Sequence, residues 1–208
     1  MKDKTYFIVS PTWVDWLTLG SLLLASLGLY SAFHGRLTLA ISLMLLAMFV
    51  DMLDGFLARR MNLESEFGRQ LDGFCDMLTY LLLPLFILYQ FGMRDWLSLS
   101  ALFVFLVSGI LRLSRFNIVG MVEERGVAYH IGLQVIWSQL LVVLAFPLWM
   151  WLGALARYPL IVLLFGMSFF MIRNLKFPKP IWYRLQTAII LSVAALYFAL
   201  YVLGIHVP

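Results

Sequence analysis

The chain reads DMLDGFLAR at residues 51–59 and GRQLDGFCD at residues 68–76, and these two runs decide how the fold is interpreted. Residues three or four apart lie on one face of a helix, so the acids within each run share a face. The first run ends one apolar segment and the second begins the next. A short turn between them predicts two antiparallel helices whose aspartates face each other.

The composition is that of a membrane protein. Of the 208 residues, 63% are hydrophobic and 12% are charged, and the mean hydropathy is +0.93. Several segments approach the roughly 20 apolar residues that cross a bilayer as a helix. Because lipid offers no hydrogen bonds to the backbone, such segments form helices. We expect an all-α, polytopic transmembrane bundle.

Seven spans are predicted along the chain. Their approximate bounds are 14–33, 37–60, 66–90, 96–117, 131–152, 157–175 and 182–204.

Basic residues are distributed unequally between the two ends of these spans. Twelve of the 15 Lys and Arg residues fall at one end, and the other end receives Arg36, Arg94 and Arg157. Cytosolic loops carry the excess of basic residues, so the acidic runs and the N-terminus are expected on the cytosolic side. The net charge of +4 reflects these flanks, and no nucleic-acid partner is expected.

The four acids of the two runs, Asp51, Asp54, Asp72 and Asp76, need counter-charges. Like charges held together repel unless cations lie between them. A set of oxygen ligands without His or Cys favours a hard divalent ion, Mg²⁺ or Mn²⁺. Two such ions bridged by carboxylates suit phosphoryl transfer. The alternative is a buried network of ion pairs with neighbouring arginines, which are Arg59, Arg60 and Arg69.

The full pattern, D-x2-D-G-x2-A-R-x8-G-x3-D-x3-D, resembles the signature of the CDP-alcohol phosphotransferases, with all eight fixed positions present. The resemblance implies a single membrane domain over residues 1–208. Within it, a six-helix catalytic core would cover about residues 14–175, and a C-terminal span at about 182–204 would be an addition.

The resemblance also implies residue roles. The four aspartates would hold two divalent ions, and Asp76 would also take the proton of the acceptor hydroxyl. From the residues alone, the choice between Asp72 and Asp76 as base stays open. The implied nucleotide-binding positions are Gly55, Ala58, Arg59 and Gly68.

A second run, LRLSRFN at residues 111–117, resembles the L-R-L-A-R-F-N run of the phosphatidylserine synthases in this family. It implies CDP-diacylglycerol as donor and serine as acceptor. Two arginines suit an acceptor that carries a carboxylate, so Arg112, Arg115 and Asn117 are the predicted acceptor-binding residues. The run at residues 76–84 is similar to the D-x2-S-F-G-x-A-P run of the same enzymes.

Other interpretations stay open. The segment 79–81 also looks like bacterial phosphatidylcholine synthases, which makes choline the second acceptor. A cation transporter would use the aspartates as an ion site, although their place near one end of the spans disfavours it. The lipid backbone is either diacylglycerol or an archaeal ether lipid. The acceptor either attacks the phosphorus directly or reacts with a covalent enzyme intermediate. The chain is either a monomer or a homodimer among membrane lipids.

Overall fold

A computed structural model describes residues 11–120, 122–124, 127–178 and 183–205. Most of the described chain is helical, as predicted. The helices are α1 (Trp13–Phe33), α2 (Leu37–Arg60), α3 (Glu66–Asp76), α4 (Leu83–Gln90), α5 (Trp96–Val119), α6 (Trp137–Leu152), α7 (Arg157–Ile172) and α8 (Tyr183–Val202).

The observed boundaries follow local capping chemistry. Thr12 and Asp15 form a reciprocal capping box at the start of α1. The side chain of Ser65 accepts from the Gly68 N–H at the start of α3, and Asp95 accepts from the Ser98 N–H at the start of α5. Such caps satisfy N–H groups that a helix leaves unpaired at its first turn. The predicted spans at 37–60 and 66–90 agree with the observed segments.

Within the described residues, six helical segments are long and apolar enough to cross a membrane. One of them, Trp137–Ile172, has 36 residues and would be about 54 Å long if it were straight. However, the N–H of Leu133, before its start, donates to the carbonyl of Phe170 near its end at 3.0 Å. The chain therefore reverses at the 3₁₀ turn Gly153–Ala156, so α6 and α7 form a hairpin. This agrees with two predicted spans rather than one.

A small antiparallel sheet closes the open end of that hairpin and corrects two predicted boundaries. Its strands are β1 (Val122–Glu124), β2 (Val127–Ile131) and β3 (Lys176–Pro178), in the order β1-β2-β3. The predicted fifth span was wrong in starting at 131, because Ile131 pairs with Lys176 in the sheet and helix α6 begins at Trp137. The sixth was wrong in extending to 175, since α7 ends at Ile172 and β3 follows.

The last helix packs into the bundle. The Ser42 hydroxyl on α2 donates to the Ala194 carbonyl on α8 at 2.9 Å. The Tyr197 hydroxyl on α8 donates to the Val143 carbonyl on α6 at 2.7 Å. Hydrogen bonds of this kind, made away from water, fix one helix against another. The predicted C-terminal span is thus a helix joined to the core.

The third span contains one turn of π-helix, Met77–Leu82, between α3 and α4. Pro84 follows it and has no N–H to offer the carbonyls one turn earlier. Two side chains of α6 take its place: Ser138 donates to the Tyr80 carbonyl, and Gln139 donates to the Thr79 carbonyl at 3.2 Å. The π turn is therefore held by α6 directly after Asp76.

Candidate active site

Three of the four predicted acids meet between α2 and α3. Asp51, Asp72 and Asp76 each offer one carboxylate oxygen, and these oxygens lie within 4.8 Å of one another. All three residues are half-buried. The four-residue spacing of Asp72 and Asp76 places both on the face of α3 that meets Asp51. We refer to these three residues as the acid cluster.

Asp54, the fourth predicted acid, lies beside the acid cluster without joining its 4.8 Å group. Its side chain is 3% exposed and interacts with the Thr18 side chain on α1. Its Oδ2 atom is buried and has no hydrogen-bond partner. One helical turn separates it from Asp51, so it extends the acidic surface along α2.

The predicted nucleotide positions lie around the acid cluster. Arg59 folds back along α2, so that its Nη1 atom lies 3.4 Å from where a Cβ on Gly55 would be. A Cβ on Gly68 would lie 2.9 Å from the Asp15 carboxylate. Ala58 is half-buried on the same helix as Arg59. The Arg59 guanidinium thus lies against Gly55 at ordinary van der Waals distance, a contact that the sequence did not reveal.

The alternative of a buried ion-pair network finds no support in the part of the chain that the structure describes. There, the ion pair within 4.0 Å joins Arg157 and Asp95, at 3.8 Å and at the opposite end of the bundle. Among the described residues, none of the arginines near the acid cluster comes that close to its carboxylates.

The donor set fits a hard divalent cation. The acid cluster offers carboxylate oxygens and no His or Cys, which suits Mg²⁺ or Mn²⁺. In addition, Asp76 Oδ1 and Asp54 Oδ2 are buried without a hydrogen-bond partner. Buried polar atoms are ordinarily satisfied, so a cation between these acids would supply what they lack.

Tyr80 is a member of this site that sequence reasoning missed. Its hydroxyl donates to Asp51 Oδ2 at 2.7 Å, and its side chain is 3% exposed. The available signal was an aromatic residue four positions after Asp76, at the place where the similar synthase run has Phe. The π turn that directs it could not be predicted from that spacing.

Two of the predicted acceptor residues line a cavity of about 340 Å³ between the ends of α5 and α7. Arg112 is buried, its Nε has no hydrogen-bond partner, and its charge interacts with that of Asp76. Arg115 is exposed at the cavity wall. The complete lining is Leu111, Arg112, Arg115, Ile131, Met171, Ile172, Arg173 and Asn174.

Arg173 and Asn174 were not among the predicted acceptor residues. They follow α7 and reach the cavity because the sheet ties the end of that helix to β2. The signals for them were a basic residue directly after an apolar run and the similarity of residues 170–178 to a stretch of the phosphatidylserine synthases. Asn117, which was predicted, is not in the cavity lining and packs instead against Gly73 on α3.

Comparison with known proteins identifies the family of this chain. A family model described as CDP-alcohol phosphatidyltransferase matches residues 12–143. The chain is 27% identical over 168 residues to the CDP-diacylglycerol–serine O-phosphatidyltransferase of Bacillus subtilis (strain 168), and the match covers 78% of this chain and 87% of that one.

Two shorter similarities broaden the range of acceptors. An archaetidylserine synthase of Methanothermobacter thermautotrophicus is 33% identical over 57% of this chain and 52% of its own. A phosphatidylcholine synthase of Mesorhizobium japonicum is 37% identical over 46% of this chain and 37% of its own. The relatives therefore share the transferase chemistry but differ by name in the alcohol or in the lipid.

Proposed function

This chain belongs to the CDP-alcohol phosphatidyltransferase family, and we propose that it transfers the phosphatidyl group of CDP-diacylglycerol to L-serine. The multi-pass membrane architecture and the transferase class follow from the six apolar segments and the family match. The acceptor is the part that we infer.

Buried Arg112 carries the proposal for serine. Arg112 lines the cavity, its buried Nε has no hydrogen-bond partner, and its charge interacts with that of Asp76. A guanidinium binds a carboxylate through paired, charge-assisted hydrogen bonds. Serine supplies a carboxylate close to its hydroxyl-bearing carbon, so Arg112 would hold the acid end while the hydroxyl faces Asp76. Arg115 and Arg173 add positive charge at the wall.

The proposed transfer forms one bond to phosphorus, breaks one, and moves one proton to a side chain of the site. The serine hydroxyl oxygen forms a bond to the lipid-side phosphorus while the bond from that phosphorus to the CMP oxygen breaks. Asp76, whose Oδ1 is free of hydrogen bonds, accepts the hydroxyl proton. When bound to the four aspartates, two divalent ions would offset the negative charge that develops on the phosphoryl oxygens. CMP and phosphatidylserine are the products.

The other family positions would hold the nucleotide. We expect Arg59, whose guanidinium lies against Gly55, to donate to the diphosphate. Gly68 has no side chain that would crowd the Asp15 carboxylate, and Ala58 contributes only a methyl group to this surface of α2. We place this end of the bundle on the cytosolic side, where the excess of Lys and Arg lies.

Choline is the second candidate, because one relative is named a phosphatidylcholine synthase. The cavity disfavours it, since a cationic acceptor would be repelled by Arg112, Arg115 and Arg173.

The test is CMP release by the protein purified in detergent, with CDP-diacylglycerol and Mn²⁺ or Mg²⁺. Serine, choline, inositol phosphate and glycerol phosphate are compared as acceptors. We expect serine-dependent CMP release and a lipid product that carries a primary amine. Faster release with choline would refute serine as the acceptor while keeping the transferase class.

A further inference from the structure

A tyrosine hydroxyl contacts the acid cluster from outside it. Tyr80 donates to Asp51 Oδ2 at 2.7 Å, and the tyrosine is 3% exposed. Since Oδ2 accepts this bond, Asp51 keeps Oδ1 for another partner. A buried donor of this kind fixes the rotation of a carboxylate, which an isolated aspartate would not hold by itself.

The backbone around Tyr80 is fixed from a different helix. Its carbonyl accepts from Ser138, and the neighbouring Thr79 carbonyl accepts from Gln139. Both donors lie on α6 and are at most 2% exposed. These bonds hold the backbone of the π turn. The backbone position of Tyr80 is therefore fixed by buried contacts, and from it the hydroxyl reaches Asp51.

We propose that Tyr80 is a positioning residue for the metal centre, holding Asp51 in the orientation that binds a divalent ion. The inference rests on the proposed function in so far as the acid cluster must bind a divalent ion. The hydroxyl is what distinguishes this position from the Phe of the similar run at residues 76–84. The substitution Tyr80→Phe would keep the aromatic ring and remove only the hydrogen-bond donor.

The experiment compares Tyr80→Phe with Tyr197→Phe. Tyr197 is a matched control, because it is also buried and also donates a 2.7 Å bond, but to the Val143 carbonyl on α6. Each purified variant is titrated with Mn²⁺ without substrate, and binding is followed by electron paramagnetic resonance. Outer hydrogen bonds to metal ligands change affinity by about 10–100-fold.

We expect the Mn²⁺ dissociation constant to rise by about 10-fold or more in Tyr80→Phe and to be unchanged in Tyr197→Phe. Transferase activity of Tyr80→Phe should recover at high Mn²⁺, which a merely structural defect would not allow. Thermal unfolding in EDTA verifies that both variants are folded.

An Asp72→Asn variant separates the role of Tyr80 from the existence of the metal site. If Mn²⁺ binds the wild type, is lost in Asp72→Asn and is unchanged in Tyr80→Phe, the role of Tyr80 is refuted and the metal site stands. If the wild type binds no Mn²⁺ at all, both are refuted.

Discussion

The side-chain amide of Asn117 on α5 rests against the backbone of Gly73 on α3. A Cβ on Gly73 would lie 3.0 Å from the Asn117 Cγ atom. Gly73 stands next to Asp72 and three positions before Asp76, so this contact sets the distance between the helix of the acid cluster and the helix that carries Arg112. Any side chain at position 73 would collide with the Asn117 amide, which would have to move.

Gly73→Ala is therefore expected to reduce both stability and activity. Overpacking of this kind costs about 1–3 kcal/mol, measured as a lower midpoint of thermal unfolding in detergent. The double variant Gly73→Ala/Asn117→Ala removes the clashing amide and should regain most of the lost stability, because the two positions are in contact. Strictly additive losses would show that the two side chains do not meet.

Asp76→Asn should lower the rate of CMP release by about 10²–10⁴-fold, the range that a general base contributes. Asp95→Asn is the matched control, since Asp95 caps α5 at the opposite end of the bundle. EDTA should abolish the activity of the wild type, and Mn²⁺ or Mg²⁺ should restore it. A wild-type rate of CMP release in Asp76→Asn would show that Asp76 is not the general base.

Arg112→Lys should raise the KM for serine by about 10-fold or more, because lysine cannot offer the planar pair of donors. The KM for CDP-diacylglycerol should change little. Arg94→Lys, at the opposite end of the bundle, is the control. Equal increases in the two KM values would show that Arg112 does not select the acceptor.

Ser138→Ala tests the support of the π turn. It would leave the Tyr80 carbonyl without its donor, and an unsatisfied buried group costs about 1–3 kcal/mol. Ser168→Ala is the comparison, because the Ser168 hydroxyl donates to a carbonyl of its own helix, Leu164. We expect a larger drop in the unfolding midpoint for Ser138→Ala. Equal drops would mean that α6 does not hold the turn.

The cap of α5 should give stability a weak dependence on acid pH. Hydrogen bonds from Ser98 lower the pKa of Asp95 below its ordinary value, and Arg157 adds to the effect. The charged cap therefore stabilises fully above the ordinary pKa of aspartate, and its contribution is lost as the pH falls through the lowered value. The unfolding midpoints of wild type and Asp95→Asn should converge at acid pH. A constant difference would contradict this.

Local signals were sufficient to predict most of the helices. Apolar runs long enough to cross a bilayer, with Ser65 and Asp95 as caps, give α3 and α5 their starts. The convergence of Asp51 with Asp72 and Asp76 was predictable because helical spacing and one short turn determine it. Asp54 lies just outside that group and interacts with Thr18 of α1, which spacing does not encode.

Features that depend on distant partners were missed. The π turn needs Ser138 and Gln139, whose hydrogen bonds to it span 58 and 60 positions of the chain. The sheet pairs Ile131 with Lys176, and each strand is too short to be recognised alone. Arg173 lines the cavity because of that pairing, and the apolar periodicity of α7 does not predict this position.

The site is divided between two parts of the chain. The acids belong to the α2–α3 pair, whereas the cavity that we propose for the acceptor is lined by α5, β2, the end of α7 and the residues after it. Substitutions in the second part can therefore change the lining of the cavity while the acids stay the same. Relatives named for serine and for choline are therefore expected to differ in the cavity lining rather than in the acids.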